Sequence, residues 1–121
     1  MTKRILVVED QEDNRQILRD LLANAGYDMI EAEDGVQAIA AASQHRPDLI
    51  LMDIQLPTLD GYEATRRIKA DPALSAIPII VVTSYALSGD DDKAREAGCD
   101  AYVAKPYSPR ALLAKIREFL P

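Results

Sequence analysis

The sequence predicts an α/β domain with a five-stranded parallel sheet that is covered by helices on both faces. Five short apolar runs alternate with five stretches of helical spacing along the 121 residues, without an internal repeat. The runs are almost continuously apolar, which is typical of strands buried on both faces of a parallel sheet. Right-handed crossovers then favour an open doubly wound sheet in strand order 2-1-3-4-5. Five strands are too few for an eight-stranded barrel.

The five predicted strands are bounded by charged or turn-forming residues. In an open sheet of this order, the functional site lies beyond the carboxyl ends of the strands, where the strand order reverses. The first and third strands flank that crevice, and both end in acidic residues. The strands are predicted at residues 5–8 (ILVV), 29–32 (MIEA), 49–52 (LILM), 79–82 (IIVV) and 101–104 (AYVA).

The first two helices are predicted from apolar residues that recur with the period of an α-helix. Gly26 is expected to end the first helix. The second helix is expected to open at Asp34 and Gly35 and to end before Pro47. The apolar stripes consist of Ile17, Leu18, Leu21, Leu22 and Ala25 in the first helix and Val36, Ile39 and Ala40 in the second.

The last three helices are predicted mainly from their end signals. The third spans residues 61–70 and carries a weaker stripe. The fourth is expected to begin near Ser88 and to end at Gly98. The fifth begins with Ser108 as N-cap and Pro109 at the first helical position. It is expected to bury Leu112, Leu113, Ile116 and Leu120.

Composition excludes several classes of function. The net charge is -6, so the chain has no broad basic surface, and we expect no nucleic-acid partner. No stretch approaches the roughly 20 apolar residues of a membrane span, and the N-terminus lacks the features of a signal peptide. Cys99 is the only cysteine, so an intramolecular disulfide is impossible. We predict a cytoplasmic protein with no membrane partner and one domain over residues 1–121, without an output domain.

Chemically useful side chains follow four of the predicted strands. Glu9 and Asp10 follow the first, Asp53 the third, Thr83 the fourth and Lys105 the fifth. A carboxylate after a strand is usually a turn or capping residue, and a lone lysine is usually a surface charge. Together, however, these groups would meet at one edge of the sheet. Three carboxylates gathered there repel one another, and their oxygens suit a divalent cation such as Mg²⁺.

The same residues have the properties needed for phosphoryl transfer. Asp53 is the best candidate nucleophile, because an aspartate can form an acyl phosphate. The ammonium of Lys105 would lie against phosphoryl oxygens, and the Thr83 hydroxyl could donate a hydrogen bond to one of them. A bound cation would neutralise charge on the transferring group.

The motifs at the strand ends resemble those of the receiver domains of bacterial response regulators, the CheY-like family. The resemblance covers essentially all of the chain. Each fragment alone is weak, but the combination is specific. The matching segments are residues 7–10 (VVED), 51–57 (LMDIQLP), 60–61 (DG), 82–84 (VTS) and 102–106 (YVAKP).

The resemblance implies a CheY-like fold and a switch in a two-component system or phosphorelay. A histidine kinase or histidine phosphotransfer protein would transfer a phosphoryl group to Asp53. Mg²⁺, or Mn²⁺ in its place, would be bound by Asp10, Asp53 and the backbone carbonyl of Gln55, with Glu9 acting through water. The chain would then be no enzyme beyond its own phosphorylation and autodephosphorylation.

Further residues take their roles from the same resemblance. Thr83 and Lys105 would bind the phosphoryl group, and Tyr102 would be a rotating switch aromatic. A cis peptide bond is implied before Pro106. The remaining structural residues at the site would be Pro57, Gly61 and Ser84.

Output is expected through protein contacts made by the fourth helix, the fifth strand and the fifth helix. A downstream protein effector would bind there, and we expect a monomer or a weak phosphorylation-dependent dimer. Residues 47–57, 98–99 and 101–102 are also similar to single-domain regulators of the DivK type. We further hypothesise that Tyr85 and Gln55 shield the acyl phosphate from water.

Three alternatives remain open from the residues. A phosphatase of the haloacid dehalogenase type would need an acid two residues after its nucleophile, and this position is Gln55. A flavodoxin-like cofactor binder would cradle phosphate in its first loop, which is here the acidic segment 9–13 (EDQED). A degenerate receiver would bind partners without phosphorylation, although the set of Asp10, Asp53, Thr83 and Lys105 is intact.

Overall fold

The structure is a computed structural model that describes residues 2–83 and 90–121. It contains five strands and five helices in strict alternation. The strands are β1 (Arg4–Val8), β2 (Asp28–Ala32), β3 (Leu49–Asp53), β4 (Ile79–Thr83) and β5 (Ala101–Ala104). The helices are α1 (Glu12–Asn24), α2 (Gly35–His45), α3 (Gly61–Ala70), α4 (Asp90–Ala97) and α5 (Pro109–Phe119).

All five strands form one parallel sheet in the order β2-β1-β3-β4-β5. This confirms the predicted fold class and strand order. The order reverses between β1 and β3, since the chain first builds outward to β2 and then returns past β1 to β3. The crevice at their carboxyl ends is therefore the expected position of a site.

The sheet has an apolar core on each face, which explains why its strands are continuous apolar runs. Ile5 and Val7 pack with Leu112 and Ile116 on the face covered by α1 and α5. On the opposite face the core includes residues from β1, β3, β4, α2 and α3, and its members are Leu6, Val8, Ala32, Ala38, Ala42, Ile50, Met52, Ile54, Ala64, Ile68, Leu74, Ile79 and Val81. Successive residues of each strand thus enter opposite cores.

The helix ends follow the sequence signals closely. Gly26 and Gly98 have φ angles of 88° and 98°, which favour glycine and end α1 and α4. The side chain of Ser108 accepts a hydrogen bond from the Ala111 backbone N–H, and Pro109 follows as the first residue of α5. The expected start of the fourth helix near Ser88 lies outside the described residues.

The predicted stripe of α1 is confirmed at Leu18, Leu21 and Leu22, which are buried or partly buried, whereas that of α2 is confirmed at Ile39 alone. Ile17 in α1 is 59% exposed, and Val36 in α2 is 57% exposed. In α1 the buried positions are Arg15, Leu18 and Leu22. The buried positions of α2 are Gly35, Ala38 and Ala42, whereas Ala40 is exposed. Small residues form most of the inner face of α2, and Ile39 packs against the same core, so only Val36 and Ala40 were misleading guides to its orientation.

Within the described ranges, 2–83 and 90–121, no helix has both the length and the apolar character needed to cross a bilayer.

Candidate functional site

The strand register brings the predicted site residues to the carboxyl edge of the sheet. Val8 pairs with Met52, so the next residues, Glu9 and Asp53, lie side by side on adjacent strands. On the other side of β3, Asp53 pairs with Val82, and Thr83 follows directly. The Lys105 backbone N–H then donates to the Thr83 carbonyl at 2.7 Å.

Asp53 is a buried carboxylate with a defined partner for each oxygen. It is the last residue of β3 and is 7% exposed. Oδ1 accepts a hydrogen bond from the Gln55 backbone N–H at 3.0 Å. Oδ2 accepts one from Lys105 Nζ at 2.8 Å. Asp53 is therefore held in place at the exit of the strand instead of capping the helix that follows.

Glu9 is also buried, at 4% exposure, and lies beside Asp53. Its carboxylate accepts hydrogen bonds from the Gln11 backbone N–H at 3.0 Å and from Asn14 Nδ2 at 3.3 Å. The pKa of Glu9 is raised from 4.5 to about 7, chiefly by burial; the Gln11 hydrogen bond lowers this pKa, whereas the hydrogen bond and charge of Asp53 raise it. In the metal-free protein, the Glu9 carboxyl thus titrates near neutral pH.

Asp10 completes an acidic cluster with Glu9 and Asp53. It is the most exposed of the three, and one oxygen from each residue lies within 4.8 Å of the others. Carboxylate oxygens are the hard ligands that Mg²⁺ and Mn²⁺ prefer. The residues present therefore fit a divalent cation, because a cation would replace mutual repulsion by attraction.

Lys105 is the cation of this cluster. Besides its contact with Asp53, Nζ lies 3.6 Å from Glu9 Oε1. Burial alone would lower the pKa of Lys105, but the hydrogen bond and charge of Asp53, together with Glu9, hold that pKa above its usual value. Lys105 is consequently a fixed positive charge. The peptide bond from Lys105 to Pro106 is cis, as the family resemblance implied.

The loop after β3 carries two of the predicted structural residues. The Pro57 carbonyl accepts hydrogen bonds from the Leu59 backbone N–H at 2.7 Å and from the Thr58 hydroxyl at 2.6 Å. A Cβ at Gly61 would lie 2.1 Å from the Asp53 carbonyl oxygen, so only glycine fits where α3 begins against β3. The sequence also gave no signal for the left-handed backbone of Thr58, whose φ is 61°.

The two predicted switch residues lie on neighbouring strands. Thr83 is 1% exposed at the end of β4. Tyr102 pairs in register with Val81 and is partly buried against the core on the side of α2 and α3. Ser84 and Tyr85, which the sequence also singled out, lie outside the described residues.

Sequence reasoning missed three residues around the acidic cluster. Asn14 and Arg15 both hydrogen-bond to Glu9, one at the carboxylate and the other at the backbone carbonyl. Tyr107 lines a cavity of about 20 Å³ with Glu9 and Lys105. Their sequence signals are weak, because polar residues in the first turns of a helix and an aromatic after Pro106 have many ordinary roles.

The fold and the acidic site define a parallel α/β domain with a candidate cation site at its switch point, and comparison with known proteins gives the family. Residues 5–117 match the response regulator receiver domain, and the chain belongs to this family. It is therefore a receiver of two-component signalling with a CheY-like fold, and not a conventional enzyme. Membership of the family implies a histidine kinase as signalling partner.

Individual relatives cover almost the whole chain. The polar-differentiation response regulator DivK of Brucella ovis is 44% identical over 120 residues, covering 99% of this chain and 98% of DivK. The receiver domain of a sensor histidine kinase from Pseudomonas aeruginosa PAO1 is 38% identical with a TM-score of 0.93, covering 99% of this chain and 98% of that one. Its crystal structure has a magnesium ion coordinated in the active-site cleft.

A third relative supports the fold at greater distance. The chemotaxis protein CheY4 of Vibrio cholerae is 26% identical with a TM-score of 0.91, and the match covers 98% of this chain and 99% of that protein. Phosphorylation-dependent signalling is thus the function of the class to which this chain belongs.

Proposed function

We propose that Asp53 accepts the phosphoryl group, from a phosphohistidine of a histidine kinase or of a histidine phosphotransfer protein. The observation that carries this proposal is the position of the Asp53 carboxylate. It is buried at the switch point of the sheet, 2.8 Å from Lys105 Nζ and within the acidic cluster. A carboxylate that is both desolvated and flanked by a cation is suited to forming an acyl phosphate.

The transfer requires little covalent chemistry from the protein. An Asp53 oxygen forms a bond to phosphorus while the bond from phosphorus to the donor imidazole nitrogen breaks, and the electron pair returns to that nitrogen. Lys105 Nζ and the Thr83 hydroxyl then donate hydrogen bonds to phosphoryl oxygens. Both residues lie on strand ends beside Asp53, so they need no large movement to act.

The acidic cluster would hold Mg²⁺, or Mn²⁺, through Asp10, Asp53 and the Gln55 backbone carbonyl, with Glu9 bound through water. When bound, the ion neutralises charge on the phosphoryl oxygens. Two observations support this assignment. Three carboxylates converge, and among the described residues Lys105 is the cation that contacts them; the related receiver from Pseudomonas aeruginosa also has magnesium coordinated in its cleft.

An open groove beside Lys105 would admit the phosphodonor. It has a volume of about 520 Å³ and is lined by Glu9, Asn14, Ile17, Lys105, Pro106, Tyr107 and Pro109. Ile17 is 59% exposed at this groove, although it is a large apolar residue. An apolar contact of this kind suits a helix of the donor protein, because it would bury Ile17 next to the reacting carboxylate.

Phosphorylation would act on partner binding through Thr83 and Tyr102. Thr83 would follow the phosphoryl group, and Tyr102 would turn toward the space that Thr83 leaves. The pairing of β4 with β5 supports such coupling, because Val81 and Thr83 lie opposite Tyr102 and Ala104. A downstream protein effector would then bind α4, β5 and α5, with a coupling free energy of about 1–3 kcal/mol.

The test is phosphorylation by acetyl phosphate in the presence of Mg²⁺, followed by intact-mass measurement. The wild-type protein should gain one phosphoryl group, and EDTA should prevent the gain. Asp53→Asn should gain none. The control is Asp13→Asn, which removes an exposed carboxylate from the first turn of α1 and should be phosphorylated normally.

The outcomes distinguish this function from its alternatives. A protein that gains no phosphate under any condition would be a degenerate receiver. Continuous release of inorganic phosphate at a high rate would instead indicate a phosphatase. Equal labelling of wild type and Asp53→Asn would show that Asp53 is not the acceptor.

A further inference from the structure

Arg15 is a buried arginine of α1 that lies behind the acidic cluster, away from the reacting groups. It is 7% exposed, which is unusual for a residue that cannot lose its charge. Its Nη1 donates a hydrogen bond to the backbone carbonyl of Glu9 at 2.8 Å. A buried arginine is therefore aimed at the main chain of the site, and not at a ligand.

The same guanidinium joins three parts of the fold. Nε lies 3.2 Å from Glu31 Oε1, and Nη2 lies 3.2 Å from Glu33 Oε1. Glu12 of α1 also pairs with Nη2. Residues of α1, of the end of β2 and of the end of β1 all contact this one rigid, planar group. The position of the Glu9 carbonyl is therefore determined by two elements outside the site, α1 and β2.

The Glu9 carbonyl belongs to the peptide unit that leads into Asp10. On the other side of the residue, the Glu9 N–H donates to the Ala32 carbonyl at 3.0 Å. A peptide unit is planar, so a fixed carbonyl also fixes the following N–H and the Cα of Asp10. Arg15 thereby determines the direction in which the Asp10 side chain projects relative to Glu9 and Asp53.

We propose that Arg15 is a positioning residue for the cation site, which sets the separation of the Glu9, Asp10 and Asp53 carboxylates. This inference rests on the proposed function, since it assigns Arg15 a role in binding the same cation. Mg²⁺ demands nearly ideal octahedral geometry, whereas Ca²⁺ accepts more variable geometry and longer bonds. Arg15 should therefore matter more for Mg²⁺ than for Ca²⁺.

Charge and position make opposite predictions for this residue. If only its charge mattered, removal of Arg15 would strengthen binding of any cation, because one positive charge near the site would be lost. If its position matters, removal should weaken the binding of Mg²⁺. The sign of the change in Mg²⁺ affinity therefore separates the two roles.

Arg19 provides a matched control. It pairs with Glu12 and Glu31, two of the carboxylates that Arg15 also contacts. Its side chain is 35% exposed, and its described hydrogen bonds go to these two residues and to Gln16, not to Glu9. Arg19→Met thus removes one positive charge from the same network without removing a contact to the main chain of the site.

The experiment measures Mg²⁺ and Ca²⁺ dissociation constants by isothermal titration for wild type, Arg15→Met, Arg15→Lys and Arg19→Met. Arg15→Met should bind Mg²⁺ about tenfold more weakly, as is typical for residues that orient metal ligands. Its Ca²⁺ affinity should fall by less than about threefold, since that ion tolerates displaced ligands. Arg19→Met should bind both ions within about twofold of wild type.

Arg15→Lys keeps the charge and serves if Arg15→Met does not fold. One ammonium cannot reproduce the planar fork of the guanidinium, so an intermediate loss of Mg²⁺ affinity is expected. Unchanged or stronger Mg²⁺ binding in a folded Arg15 variant would overturn the inference, and so would an equal loss for both ions. If the wild type itself binds no Mg²⁺, the proposed cation site fails first.

Discussion

The two edges of the sheet use charged residues in different ways. At the amino edge, two carboxylates, Asp48 and Asp100, lie on different strand ends and have separate donors. Asp48 accepts the Arg4 backbone N–H at 2.8 Å, and Asp100 accepts the Ile79 backbone N–H and Lys69 Nζ, both at 2.8 Å. Such contacts join neighbouring elements and leave no charge that requires a ligand.

At the carboxyl edge, the described residues bring three carboxylates together, and the Lys105 ammonium contacts two of them, Glu9 and Asp53. Glu9 and Asp53 are more deeply buried than Asp48 or Asp100, yet they share Lys105. The difference teaches that an acid with its own donors at a strand end does not mark a site. Carboxylates that outnumber their cations at a strand edge do mark one, because that arrangement is unfavourable until a ligand binds.

The largest expected effect comes from replacing, one at a time, the lysines that contact the carboxylates at these two edges, Lys105 and Lys69. Lys105→Met should slow phosphorylation by acetyl phosphate about 100-fold, because it removes the charged donor aimed at the developing phosphoryl group. Lys69→Met should leave the rate within about twofold of wild type, since Lys69 contacts Asp100 and two backbone carbonyls far from the site. Rates are measured by intact mass over time, and similar rates in the two variants would contradict the comparison.

Lys69 should matter for stability, although it should not matter for the rate of phosphorylation. Its side chain is 15% exposed and donates to Asp100, Ser75 and Ile77. Lys69→Met should lower the free energy of unfolding by about 2 kcal/mol, measured by urea denaturation. Mg²⁺ should stabilise Lys69→Met no more than it stabilises the wild type, because the Lys69 contacts do not involve the acidic cluster.

A pair of glycines sharpens the same comparison. Gly61→Ala would drive a Cβ against the Asp53 carbonyl, so we expect a loss of about 3 kcal/mol in unfolding free energy and slower phosphorylation. At Gly26, with φ of 88°, a Cβ would contact nothing within 4 Å. Gly26→Ala should therefore lower stability by only about 1 kcal/mol through backbone strain and leave phosphorylation unchanged.

Equal phosphorylation rates in the two glycine variants would show that the approach of α3 to β3 does not matter for the geometry of the site. Circular dichroism at the assay temperature would establish that both variants are folded during the measurement.

The last comparison concerns pH and Glu9. Its folded-state pKa of about 7 lies above the unfolded value of 4.5, so between these pH values the folded protein binds more protons. The metal-free protein should therefore lose stability as the pH rises from about 4.5 to about 7. Mg²⁺ favours the ionised carboxylate, so its affinity should increase over the upper part of this range and then level off.

Calorimetric titration with Mg²⁺ in two buffers of different ionisation enthalpy measures the proton released at pH 6.5. Glu9→Gln should release none. An affinity for Mg²⁺ that falls with rising pH would contradict the assignment of Glu9 to the cluster.

The sequence located the site because each of its main residues follows an apolar run. Asp53 and Thr83 could be placed at one edge as soon as the runs were taken as parallel strands. Glu9, Asp10 and Lys105 followed for the same reason. The topology does the rest, since consecutive positions on paired strands must end side by side.

Contacts between elements were beyond sequence reasoning. Arg15 is charged and lies in a helix, where exposure is the ordinary expectation, and three of its partners lie at or just after the ends of β1 and β2. The orientation of α2 was predicted wrongly from Val36, because the sequence does not state that Gly35 approaches Leu59 closely. Such features depend on distances across the fold, and no local pattern encodes them.

The most direct test of the account identifies the residue that carries the phosphoryl group. The protein is phosphorylated by a phosphohistidine donor with Mg²⁺, reduced with borohydride and analysed by peptide mass spectrometry. Reduction converts an aspartyl phosphate to homoserine, and the account predicts homoserine at position 53 alone. Homoserine at position 10, reduction at Glu9, or an unmodified Asp53 beside an active donor would contradict it.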